Sequence, residues 1–145
     1  MKLFGHPLHV MVIHFPSALL PMDFVCSLLA NYTGNASFTD AAFFALAGGV
    51  LLGIVAIVTG AFDLIGVAEN KPLALQKAFV HGGINATVIL VYSVLAFRAY
   101  KDFPDLVADG AGLLILKGCL VTFMMAGNYF GGSLILKDRV GAETN

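Results

Sequence analysis

The chain has 145 residues, of which 59% are hydrophobic and only 12% charged, with a mean hydropathy of +0.88. A water-soluble domain carries about a quarter charged residues, so this chain has too little polar surface to cover a globule, and lipid is its natural solvent. The net charge of −1 offers no basic field for nucleic acid. The absence of a phosphate loop, Rossmann fingerprint, nucleophile elbow or kinase signature argues against a soluble-type enzyme.

Crossing the hydrocarbon core takes roughly 20 mostly apolar residues. Four stretches qualify, at about 8–30, 41–65, 78–97 and 111–130. The predicted fold is an all-α, integral membrane four-helix bundle in one domain, 1–145, without an internal repeat. The N-terminus does not read as a signal peptide, because Lys2 is its only early charge and His6, Pro7, His9 and His14 interrupt the apolar run. Pro7 suits the opening turn of the first span, and His14 then lies roughly 10 Å inward. Pro16 can kink this helix and alter that count. Asp23 falls near the exit. Cys26 and Cys119 sit inside spans, as small apolar residues at helix contacts rather than a disulfide. The Asn31-Tyr32-Thr33 and Asn35-Ala36-Ser37 sequons matter only in a host that glycosylates.

The second span carries Gly49, Gly53, Ala56, Gly60 and Asp63 within about 80° of one helix face. Such a stripe lets another helix or a flat ligand approach the backbone, and Asp63 on it should face the bundle interior. Pro72 can lead into the third span, which places His81 roughly 13 Å inward, with Asn85 four residues on and on the same face. The fourth span aligns Lys117, Met124 and Asn128. The first and third spans run in the same direction, so His14 and His81 share a layer, with His6 and His9 nearer the surface. Asp23 and Lys117 form a second layer at the other side, where an isolated charge is costly; they are expected to pair. Lys2, Lys71, Lys77, Lys137 and Arg139 lie on one side of the spans, and Arg98 and Lys101 on the other, which points to cytoplasmic termini.

Gly5-His6-Pro7-Leu8-His9, His14-Phe15-Pro16 and then Asp23 resemble the opening of the bacterial membrane family called domain of unknown function 2231. Its members typically show a Gly-His-Pro-Leu-His-Pro run followed by Phe-Pro. Gly60 with Asp63, His81 with Asn85, and Gly131-Gly132-Ser133-Leu134-Ile135 extend the likeness over nearly the whole chain. Val10 departs from the usual proline. The resemblance implies a four-span protein of the bacterial cytoplasmic membrane, and the fusion of some relatives to Rieske iron–sulfur domains implies electron transfer.

In four-helix bundles, facing side chains build cofactor sites. Two neutral imidazoles from different helices can ligate a b-type haem iron. His14 and His81 are the first-choice axial pair, with His9 and His6 in reserve; Asp63, Asn85 and Asn128 would orient the rings, and Gly53 and Gly60 would admit the porphyrin. Electrons would pass to or from quinone, an iron–sulfur protein or a cytochrome partner in a larger membrane redox complex. His6 and His9, with Met11, could instead take copper or another transition metal. The rival expectations are a non-catalytic membrane subunit whose polar motifs fix packing and assembly, and an ion or solute transporter working as a homo-oligomer. No catalytic residue is assigned.

Overall fold

A computed structural model describes residues 2–3, 6–65 and 72–136, with side chains over 8–64 and 72–134. Strands β1 (Lys2–Leu3) and β2 (His6–Pro7) form a two-residue antiparallel pairing. The remaining elements are helices: α1 (Leu8–Val12), α2 (His14–Thr33), α3 (Ala36–Ile65), α4 (Pro72–Asp102) and α5 (Ala111–Leu136). Four segments are long and apolar enough to cross a membrane: Leu8–Thr33, Ala36–Leu64, Pro72–Asp102 and Ala111–Leu134. Helices outrun the apolar stretches of the sequence because backbone bonding does not stop where hydropathy falls. The 30 residues of α3 reach about 45 Å, more than the roughly 30 Å hydrocarbon core.

Local chemistry sets the breaks. Pro16 has no N–H for the Val12 carbonyl, and the helix is interrupted between α1 and α2 at Ile13. Gly34 ends α2 in the left-handed region (φ 68°), donating its N–H to Ala30 O at 2.9 Å, as C-terminal glycines do. Asn35 then caps α3, its Oδ1 accepting from Ser37 N at 3.0 Å. Pro72 occupies the first position of α4, where its missing N–H costs nothing.

The main contacts run α2–α3, α3–α4, α4–α5 and α5–α2. They close a ring in which α2 faces α4 across the diagonal, while α1 leans on α3. The centre is apolar: Leu20, Leu46, Val50, Val88, Ile89, Tyr92, Leu120 and Met124 form one buried cluster. Phe44, Leu51, Leu90, Phe97, Ile115 and Phe123 face outward, as the lipid-facing side of a bundle requires. Exposure here means exposure to hydrocarbon over the spans.

Two glycines of α3 let the core close. A Cβ on Gly49 would lie 2.6 Å from Leu20 Cδ2, and one on Gly53 would collide with Ile89 Cδ1. Gly53→Leu should therefore lower the thermal midpoint in detergent, at a cost of about 1–3 kcal/mol for overpacking. Gly112→Ala, where a Cβ meets nothing within 4 Å, should leave it unchanged.

Candidate functional site

The bundle holds two polar layers, one near the α1 end and one near the two loops 34–35 and 103–110. In the first, His9 of α1 and His81 of α4 meet across the interior. Their ring centroids are 6.4 Å apart and their planes 77° apart. Each ring is held through Nδ1 by a main-chain carbonyl of a neighbouring helix: His9 on Ala56 O of α3 at 2.8 Å, His81 on Gly127 O of α5 at 2.7 Å. A carbonyl only accepts, so each Nδ1 carries the proton, and in the neutral ring the lone pair resides on Nε2. Asn85 Nδ2 approaches His81 Nδ1 at 3.2 Å, but both groups are donors there; its hydrogen bond goes to His81 O at 3.0 Å.

Glycine makes both placements possible. A Cβ on Gly60 would lie 2.8 Å from His9 Cε1, and one on Gly131 would lie 2.6 Å from His81 Cε1. The two halves of the chain thus repeat one device: a histidine early in a hairpin lies over a glycine late in it and bonds the carbonyl four residues before that glycine. The separations from histidine to carbonyl are 47 and 46 residues. Sequence reading reports no repeat because only these few residues carry the correspondence.

The other predicted site residues separate. His14, the expected first ligand, opens α2 with its side chain exposed; the interruption at Ile13 turns His9 inward instead. Gly53 is closed by Ile89 and Gly60 by His9 itself, so this stripe is filled by side chains rather than open to a flat ligand. Asp63 lies half-buried one turn beyond Gly60. Asn128 ties α5 to α2, donating from Nδ2 to Ser17 Oγ at 3.1 Å. Met11 is exposed. The side chain of His6 and residues Lys71, Lys137 and Arg139 lie outside the described residues. Among the described residues, no three His, Cys, Asp or Glu side chains converge as a metal-binding group. Gly127, whose carbonyl holds His81 and whose missing Cβ leaves room for Asn85, escaped the sequence reading; its i+4 spacing to Gly131 was the available signal.

The second layer is ionic. Lys117 Nζ lies 2.6 Å from Asp23 Oδ1, 2.6 Å from Asp109 Oδ2 and 2.9 Å from Ser27 Oγ. Asp23 is 0% exposed and Lys117 4%. Three acceptors match the three N–H donors of an ammonium. Asp109 sits on the loop into α5, and Asn31 Nδ2 pins that loop by donating to Asp109 O at 2.8 Å. Ser27 and Asp109 add to the pair foreseen from depth alone. The apolar cluster described above separates this layer from the histidines.

Removing one partner of a buried pair strands the other charge, at about 3–5 kcal/mol. Lys117→Met should therefore lower the thermal midpoint sharply, and the double variant Asp23→Asn/Lys117→Met should recover most of the loss. Equal midpoints for Lys117→Met and the parent protein would mean that the network does not hold α2 to α5.

Neither the curated proteins nor the solved structures give a match to this chain. A family of predicted membrane proteins does, over residues 5–144. That span takes in both histidines, both glycine seats and the ion cluster, and the chain belongs to this family, domain of unknown function 2231.

Proposed function

We propose that this multi-pass membrane protein is a redox protein, or a redox subunit of a larger complex, that holds b-type haem with His9 and His81 as axial ligands. The observation that carries the reading is that imidazoles from two different helices, His9 of α1 and His81 of α4, come together in one layer. The ring centroids of His9 and His81 stand 6.4 Å apart, within the ordinary range of a contact between rings, and a porphyrin between them would displace the side chains that fill the glycine stripe, Ile89 over Gly53 and His9 over Gly60. Their Nδ1 atoms are engaged by carbonyls, which is how ligating histidines are usually oriented and made more basic. The donor set of two neutral imidazoles suits low-spin haem iron.

Bound haem would supply a one-electron couple. The protein's share is to fix ring direction through Ala56 O and Gly127 O and to seat the rings on Gly60 and Gly131. Thr59 donates to Ala56 O at 3.1 Å, the carbonyl that also holds His9, and Asp63, Asn85 and Asn128 are the other polar groups proposed for this task. An iron–sulfur protein, a cytochrome or quinone would exchange the electron. The charge distribution supports a bacterial cytoplasmic membrane location with both termini in the cytoplasm. A second reading has its own support: the same two ring–carbonyl bonds join helices without any cofactor, as in a non-catalytic subunit.

The test is a reduced-minus-oxidised absorption spectrum of protein purified in mild detergent from cells supplied with haem precursor. A low-spin b-haem spectrum is expected, lost in His9→Ala and His81→Ala and kept in His14→Ala. Colourless, well-folded parent protein would overturn the redox reading in favour of the structural one.

A further inference from the structure

The histidine layer sits off-centre in the bundle. Ala56, His81 and Gly127 mark its level, and each is nine residues from the near end of its helix, at Ile65, Pro72 and Leu136 respectively. At helical rise that is about 13 Å. The far ends, at Ala36, Asp102 and Ala111, are about 24–32 Å away. The two directions also differ in what lies along them. Toward the α1 end, Asp63 stands one turn beyond Gly60 and Lys77 one turn before His81, both half-buried, and Asp63 is close enough to act electrostatically on His9. Toward the loop end come Val50, Val88 and Ile89 of the buried apolar cluster. A charged or hydrated species therefore meets polar groups on one approach and mostly apolar side chains on the other. The rings themselves are half-buried rather than sealed. None of the four histidines falls in the loop-end half of its span.

We propose that the histidine layer is served from one side of the membrane only, the side of the α1 end, and that its redox partner is a water-soluble one-electron carrier docking there. That an electron is what passes rests on the redox reading above; the one-sided access rests on the geometry alone. Electron transfer through protein falls off steeply with distance. A carrier at the α1 end comes within about 13 Å of the layer, and one at the loop end stays at roughly twice that distance. With no histidine in the loop-end half of any span, the chain offers no second imidazole-held station on that side. The protein therefore takes up and returns electrons on one face and does not carry them across the bilayer.

The test uses the full chain in sealed liposomes, loaded with haem, in a Cys26→Ala/Cys119→Ala background. Orientation is read from Tyr32→Cys, a loop-end position that is 90% exposed, with a membrane-impermeant maleimide. Dithionite added outside does not cross the bilayer, so it should reduce only the molecules that the maleimide leaves unlabelled, whose α1 end faces out. Equal reduction of labelled and unlabelled molecules, or reduction of the labelled ones alone, would overturn the proposal. A second arm needs no haem. Asn85→Cys, one turn inward from His81 on the same face of α4, should react with a charged methanethiosulfonate reagent from the α1 side alone, and Val88→Cys from neither side. Reaction of the folded Asn85 variant from the loop side, or from neither side, would equally overturn it. Colourless protein would remove the carrier together with the redox reading, and the thiol arm would then decide the one-sided access by itself.

Discussion

Hydrocarbon cannot hydrogen-bond, so every polar group placed in the membrane must be satisfied by the protein itself. The arrangement of this bundle follows from that constraint. Thr59, Thr87, Ser93 and Thr122 turn their hydroxyls back to carbonyls of their own helices, at 2.7–2.9 Å. Side chains too large for that solution are gathered into two layers. Histidine rings bond to carbonyls of neighbouring helices, and Lys117 spends each of its donors on a different acceptor. Each such bond also joins two elements, so satisfying the polar groups and fixing the helix arrangement are one event.

A helix carbonyl is normally occupied by its own ladder and shielded by side chains. Reaching it from another helix needs a local gap, and glycine supplies that gap. Gly60 and Gly131 each leave room for a ring directly over the backbone, one turn past the accepting carbonyl. The repetition in both hairpins puts His9 and His81 on spans that lie diagonally across the ring of helices. The two rings therefore meet near the centre, where only a pair of matching elements can meet. The nearly equal separations along the chain are the trace of that two-fold arrangement.

Much of this was legible in the residues. Hydropathy located the four spans, since the cost of exposing apolar surface dominates any other signal at this composition. Depth counting brought Asp23 and Lys117 to one level because α2 stays helical through Pro21 and α5 runs unbroken there. It went astray at the other end of the same helix, where Pro16 interrupts the ladder and exchanges His14 for His9 as the ring that points inward. Asp109 was not foreseeable by periodicity, since it reaches Lys117 from a loop. The glycine stripe of α3 was readable as a zone of close approach, but what approaches was not: Leu20, Ile89 and His9 fill it in turn. A stripe states that space is needed and leaves the occupant to the facing helices.

The apolar cluster between the layers limits what the protein can conduct. His9 on α1 and Asp23 on α2 are fourteen residues apart, at most about 21 Å at helical rise, and Leu20, Leu46, Val50, Val88, Ile89 and Leu120 belong to the apolar interior. An ion moving from one layer to the other would shed much of its hydration in a region whose side chains are mostly apolar, which is costly. Tyr92, the one polar side chain of this cluster, turns its hydroxyl to Lys117 O at 3.4 Å rather than into a path. Within a single copy, then, the two layers work as separate sites.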